Sequence, residues 1–349
     1  MITKDSIENG RKTILNETDT SNKRCLFSAP HDFLPEEVVA GFQNLALTEF
    51  REVSRREELE ADAGLAFWVV DPGQNFLVDE DVLRLFPALE AVITPSTGTN
   101  HLNLDACQER GIAVYSLLDD RKGLNRISAS AEFTFLLLLN TFRRLHVAMA
   151  ESSSGRWRER EEVMRGRELS GKRVGLVGMG RIGRRMATYC SAFDAQVVYH
   201  DPYVDESSWK KVSLEGLFEH SDAVCVCCAL TSETEGLIGL PLLSRLKEGA
   251  SLVNTSRGEI IVETDLITVL SERPDINVAL DVLPGESRNL HRSSELIEFH
   301  KRGRIVVTPH VAGATQESQS KAAHCALSLL ERHISKESSG SSLEIGERS

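Results

Sequence analysis

Two sets of residues in this 349-residue chain have the types and spacing to do chemistry. The first lies in Val174-Gly-Leu-Val-Gly-Met-Gly-Arg-Ile-Gly183, where Gly178, Gly180 and Gly183 form G-x-G-x-x-G between a strand-like run and a helix-like one, Arg181 to Phe193. Asp201 follows 18 residues later, closing a second apolar run, Gln196-Val-Val-Tyr-His-Asp. Glycines at that spacing let backbone amides and a helix N-terminus approach a pyrophosphate, and an acid at that separation reaches the ribose hydroxyls. A glycine fingerprint alone is a weak signal, but here strand, helix and acid agree. The expected dinucleotide is NAD rather than NADP, because Asp201 would repel a 2′-phosphate and Pro202 brings no compensating charge.

The second set is Arg257, Glu286 and His310, each at the end of a predicted strand. Arg257 leaves the apolar run Leu252-Val-Asn-Thr-Ser just before Gly258, so it could offer a two-pronged grip to a carboxylate, with a salt link between domains as the alternative. His310, in Val307-Thr-Pro-His-Val-Ala-Gly313, could move a proton or serve as a structural histidine. Glu286, five residues beyond Asp281, could orient that imidazole and favour its charged form, although alone it is a loop glutamate. A nicotinamide cofactor makes the set coherent: it carries hydride, and the protein must then supply a cation for a carboxylate and a group that moves a proton.

These residues need two lobes to hold them. Alternating apolar and helix-like segments predict a first α/β lobe: strands Cys25–Ser28, Leu65–Val70, Ala91–Thr94 and Ile112–Tyr115, and helices Pro35–Leu47, Asp79–Phe86 and Leu104–Arg110. Ser128 to Ala150 reads as one long helix, apolar nearly all round from Ala129 to Phe142, which calls for cover by a second domain or a second subunit. A second alternation has strands near Val174, Val197, Ala223, Ser251, Val278 and Ile305, with ligands expected at their carboxyl ends. A last helix, Gln316 to Ile334, follows that lobe and is expected to pack back on the first.

The predicted division is therefore a substrate lobe, 23–123 and 314–335, interrupted by a dinucleotide-binding lobe, 124–313. Polar segments 1–22 and 336–349 are expected to be disordered tails. A formal charge of −12 and a pI near 5.4 argue against a nucleic-acid surface. The longest apolar run falls short of the roughly 20 residues that span a bilayer, and the N-terminus lacks the apolar core of a secretory signal. Seven cysteines, an odd number with three of them in Cys225-Val-Cys-Cys228 on a predicted strand, suggest reduced, buried thiols in a cytosolic protein.

Taken in order, Ser96-Thr-Gly-Thr-Asn100, Ser130-Ala-Glu132, Gly155-Arg-Trp157, the Gly178–Gly183 fingerprint, His200-Asp-Pro202, Asn254-Thr-Ser-Arg-Gly258, Ala279-Leu-Asp-Val282 and Pro309-His-Val-Ala-Gly313 resemble the D-isomer-specific 2-hydroxyacid dehydrogenases, in the pattern of phosphoglycerate dehydrogenase. The resemblance covers roughly Cys25 to Ile334. It implies an α/β fold with a doubly wound Rossmann cofactor domain and a flavodoxin-like substrate domain, a cleft between them, and a homodimer formed through the cofactor domain and long helix. It assigns the substrate carboxylate to Arg257 and to amides around Thr97 and Gly98, and acid/base work to His310 assisted by Glu286. Asp281 is implied near the nicotinamide carboxamide, Arg181 and Ile182 at the pyrophosphate, and Asp201 at the adenosine ribose, with Thr255 and Gly313 also against NAD. No metal is implied.

Three departures stand out. Ser287 takes the place of the family's usual proline and opens a polar insertion running to Arg304, and Cys227-Cys-Ala229 replaces His-x-Pro on the cofactor wall. Asp71 and Thr94 stand where phosphoglycerate dehydrogenases often place arginines, which leaves Arg121, Lys122 or Arg126 to meet any substrate phosphate. The expected activity is NAD-dependent interconversion of a small 2-oxo acid and a D-2-hydroxy acid, unphosphorylated. The alternatives are phosphoglycerate dehydrogenase proper, or a dinucleotide-sensing corepressor-like binding protein.

Overall fold

Every strand pair among the described residues is parallel, so the inner strands are covered by helices on both faces and are largely apolar along their length. The computed structural model describes residues 23–205, 208–286 and 289–339, so the expected tails 1–22 and 340–349, and Ser287, lie outside the described residues. The first sheet takes β1 (Arg24–Phe27), β2 (Leu47–Phe50), β3 (Leu65–Val69), β4 (Ala91–Ile93) and β5 (Ala113–Tyr115) in the order β2-β1-β3-β4-β5. That is the flavodoxin order.

The second sheet takes β6 (Arg173–Val177), β7 (Gln196–His200), β8 (Lys210–Lys211), β9 (Ala223–Val226), β10 (Ser251–Asn254), β11 (Asn277–Leu280) and β12 (Val306–Val307). Its order is β12-β11-β10-β9-β6-β7-β8, a doubly wound sheet whose winding reverses between β6 and β9. Apolar clusters fill both of its faces, one around Leu217, Val224, Leu252 and Leu280, the other around Leu138, Leu176, Met186 and Tyr199.

Four expectations are corrected. The helix expected over Pro35–Leu47 runs Glu36–Leu45, with Pro35 capping it; Ala46 turns extended, and Leu47 opens β2 by donating its amide to the Lys23 carbonyl. The strand wins because its pairing with β1 rewards residues that local pattern alone assigns to the helix.

The long helix expected over Ser128–Ala150 is two, Ala129–Arg143 and Leu145–Ser153, broken where Arg144 takes a left-handed φ of 52° and the Asn140 carboxamide accepts the His146 amide. Neither is covered all round: Leu136, Leu145 and Met149 are about half exposed, at 50, 48 and 60 %.

The last helix runs Gln316–Ser339, so residues 336–339 of the expected tail are helical. It packs Ala323, Ala326, Leu329 and Leu330 against Phe27, Val38 and Phe42 of the first lobe. Burying each leucine there is worth about 1.5–3 kcal/mol, which outweighs the helix's exposed polar side. The fourth correction is β8, a two-residue edge strand that carries no apolar signal because both residues are exposed lysines.

Among the described residues no helix is long and apolar enough to cross a membrane. All seven cysteines are free; six are buried and Cys228 is half-buried.

Candidate active site

The three fingerprint glycines have three different environments. Gly178 takes φ 97°, and a Cβ there would come within 2.7 Å of the Cys228 amide nitrogen. Gly183 packs so closely that a Cβ would lie 2.2 Å from the Gly178 carbonyl oxygen, which seats the helix Arg181–Ala192 on the turn. Gly180, which caps that helix, faces open space. A tight turn, an open approach at the helix start and close helix packing are what a dinucleotide's pyrophosphate requires, so the residues fit the cofactor. The Arg181 guanidinium donates to the Ile127 carbonyl at 2.5 Å, which leaves the phosphate side to backbone amides, including those of Arg181 and half-buried Ile182.

Asp201 sits just past β7 and also braces this turn: one carboxylate oxygen accepts the Met179 amide at 2.8 Å and the other the Tyr203 amide at 2.9 Å.

Arg257, Glu286 and His310 leave the carboxyl ends of three neighbouring strands, β10, β11 and β12. The Asn254 side chain, 1 % exposed, shapes the first turn: its amide donates to the Arg257 carbonyl at 2.8 Å and its oxygen accepts the Ser256 amide at 3.0 Å. The Arg257 guanidinium then reaches across to the loop after β4, where a Cβ on Gly98 would lie 2.0 Å from Nη2. Gly98 is held in turn by Ser96, whose hydroxyl accepts the Gly98 amide at 3.0 Å and donates to its carbonyl at 2.9 Å. Thr97, between them, is exposed. Burial works against the charge on Arg257, opposed by the carboxylates of Glu286 and Glu259.

His310 takes a left-handed φ of 55°, rare for a residue with a side chain, and three interactions hold it there. Its amide donates to the Asp281 carbonyl at 2.8 Å. The Asp281 carboxylate, wholly buried, accepts the Val311 amide at 3.0 Å and the Ala312 amide at 2.8 Å, and takes the Thr308 hydroxyl as well. Nδ1 of His310 meets the Glu286 carboxylate at 2.5 Å, and that carboxylate's other oxygen accepts the Leu283 amide at 2.7 Å. Burial tends to raise the Glu286 carboxyl, but the His310 bond and charge, the Leu283 amide and Arg257 outweigh it and leave it below the ordinary range. With Nδ1 so engaged, the exchangeable proton belongs to Nε2.

Of the other expected residues, half-buried Thr255 shares a hydrogen bond with Thr134 at 2.6 Å, and exposed Gly313 faces Ser130. Arg121, Lys122 and Arg126 are all exposed.

Sequence reasoning missed three contributors. Glu259 accepts the Gly285 amide at 3.1 Å, and a Cβ on Gly258 would lie 2.1 Å from the Leu283 carbonyl carbon, so the Arg257 and Glu286 loops are packed as one body. His101 is 3 % exposed, and burial and then Arg257's charge push its pKa down to about 4, which makes it a neutral neighbour of that guanidinium. The proximity of Glu259 to Arg257 in sequence was a usable signal; nothing in the sequence around His101 marks its burial.

Residues 135–312 match the family model described as D-isomer specific 2-hydroxyacid dehydrogenase, NAD binding domain. The (S)-sulfolactate dehydrogenase of Chromohalobacter salexigens is 30 % identical over 80 % of this chain and 94 % of its own length. The D-3-phosphoglycerate dehydrogenase of Archaeoglobus fulgidus is 32 % identical over 69 % of this chain, but the match spans only 45 % of that protein, so the chain covers about half the length of the phosphoglycerate dehydrogenases it matches. Among solved structures, the TT0316 protein from Thermus thermophilus superposes with a TM-score of 0.71 at 27 % identity, covering 89 % of this chain and 97 % of that one.

Proposed function

The chain belongs to the D-isomer-specific 2-hydroxyacid dehydrogenase family and carries its NAD-binding domain; from that premise we propose that it interconverts a 2-oxo acid and a D-2-hydroxy acid with NAD. The observation that supports this most strongly is the contact of Arg257 with Gly98 across the two lobes, beside the His310–Glu286 pair on the adjoining strand ends.

NADH supplies the hydride that reduces the carbonyl carbon. Arg257, with amides around Thr97 and Gly98, grips the substrate carboxylate and fixes the neighbouring carbonyl in line. His310 donates the Nε2 proton to the carbonyl oxygen, so that one hydride and one proton convert ketone to alcohol, and in the reverse direction Nε2 takes that proton back. Glu286 stabilises the protonated imidazole and fixes its orientation through Nδ1. Such positioning and charge placement can lower a barrier by several kcal/mol. Thr255, Asp281 and Gly313 belong on this reading to the nicotinamide side; Asp281 does so in addition to holding the His310 loop.

The substrate is an unphosphorylated acid. Asp71, at the carboxyl end of β3, brings a carboxylate where a phosphate would need a cation, and Arg121, Lys122 and Arg126 face solvent. Leu136, Leu145, Met149 and Phe193, each about half exposed, are apolar surface that a homodimer would cover, and seven unpaired cysteines suit the cytosol.

A panel of small 2-oxo acids with NADH, followed by loss of nicotinamide absorbance, tests the activity. Turnover of at least one member, lost in Arg257→Ala, is expected; no turnover of any member would overturn the reading in favour of a binding protein.

A further inference from the structure

The loop that carries Glu286 does not end at the cofactor lobe. Asn289 donates its amide to the Glu286 carbonyl at 3.0 Å, and Leu290 donates to Gly285 at 3.1 Å, so Asn289 moves with Glu286. Its side-chain Nδ2 reaches the other lobe and donates to the Asn75 carbonyl at 2.9 Å, in the loop after β3 that also holds Asp71. Asn75 is itself fixed, its amide bonded to the Ser54 carbonyl at 2.9 Å. The opposite rotamer of the carboxamide would set oxygen against oxygen, so the donor orientation is forced.

Asn289 accepts two local costs at this point. Its φ of 57° is left-handed, which asparagine tolerates better than most residues, and its Oδ1 is buried with no partner among the described residues. The cross-lobe bond is the one side-chain hydrogen bond it makes among those residues. Strain retained at a single residue whose side chain joins two lobes beside a reactive pair points to a task.

We propose that Asn289 is a positioning residue for the reaction: by docking on the Asn75 carbonyl it ties the Glu286 loop to the substrate lobe and so holds Glu286 against His310. This rests on the dehydrogenase reading. It makes the polar insertion after Glu286 a structural link between substrate lobe and proton-transfer pair, so that the pair is fully aligned only when the two lobes are together.

Asn289→Gly and Asn289→Asp test it in the full-length protein. Glycine keeps the left-handed backbone without strain and removes the donor, while aspartate keeps the shape and cannot donate. Two readouts are needed, because a merely structural role would lower activity alone. The first is kcat and its pH profile in 2-oxo acid reduction; both variants should lose about three- to tenfold in kcat, the range one neutral hydrogen bond commands, with the alkaline limb moved to lower pH and KM for NADH unchanged. The second is hydrogen exchange of residues 71–78 in the NADH-loaded protein, which should quicken in both variants. Unchanged exchange and an unmoved limb in Asn289→Gly would overturn the proposal, even if kcat fell. If the wild-type protein reduces no 2-oxo acid, the dehydrogenase reading fails, while the exchange comparison still decides whether Asn289 joins the lobes.

Discussion

The Cβ that Gly98 lacks would lie 2.0 Å from Nη2 of Arg257 and 3.0 Å from its central guanidinium carbon. Two lobes thus meet at one glycine and one arginine, and a single methyl group is enough to part them.

Gly98→Ala should therefore displace the guanidinium without unfolding the lobe, because the clash falls on the far end of a flexible side chain. The expected result is a rise of at least about tenfold in KM for the 2-oxo acid, the scale of one lost charge-assisted contact, with Tm and NADH affinity nearly unchanged. Steady-state kinetics beside a melting curve check it; an unchanged KM would place the carboxylate elsewhere.

The His310–Glu286 bond of 2.5 Å predicts how reduction depends on pH. His310→Ala should lower turnover by at least about 10²-fold with NADH binding retained, since a general acid is lost and no cofactor contact is. Glu286 has its carboxyl held below the ordinary range, so it is charged throughout neutral pH and stabilises the protonated imidazole. Reduction consumes that proton, so turnover depends on the charge that holds it. Removing that charge in Glu286→Gln should move the alkaline limb of the pH–rate profile to lower pH; a superimposable limb counts against the pairing.

Asp201 offers its carboxylate to the Met179 and Tyr203 amides, and the proposed function gives it the ribose hydroxyls as well. NAD should be preferred over NADP, and Asp201→Ala should narrow the gap by relieving repulsion of the 2′-phosphate. Because the turn is loosened too, NAD affinity should drop at the same time, a double effect that titration of both cofactors can resolve. Equal use of the two by the wild-type protein would contradict the assignment.

Asp71 has its pKa pushed up to about 6, chiefly by burial, with the Gly73 amide working the other way and Glu52 adding to the rise. The folded state thus holds this proton more tightly than the unfolded chain, whose aspartate titrates near 3.8. Stability from this group is full below that value and is lost as pH climbs to about 6. Asp71→Asn should accordingly raise Tm at about pH 7 and change it little at about pH 3.5. The same charge should make the wild-type protein reduce an unphosphorylated 2-oxo acid with a higher kcat/KM than 3-phosphohydroxypyruvate, by about tenfold or more at low ionic strength. Preference for the phosphorylated acid, lost in Arg121→Ala or Arg126→Ala, would reverse this view of the pocket.

The sequence by itself determined the parts whose signals are local. Gly178 and Gly183 announce their turn because only glycine fits each close approach, and apolar runs buried on both faces announce parallel strands wherever they fall. Arg257, Glu286 and His310 were legible as residues at strand ends, since in a doubly wound sheet that is where loops face a ligand. What the tertiary structure decided are relationships between residues far apart in the chain, which no local pattern encodes. Leu47–Phe50 is a strand because β1 waits beside it, and Arg144 ends a helix that its apolar run would have continued. Asp281 anchors the His310 loop 30 residues away, His101 is neutral because the fold buries it and sets Arg257 nearby, and Asn289 reaches Asn75 across 214 positions. Composition and periodicity report how each segment meets solvent; which loops meet one another is fixed only when both sheets are packed.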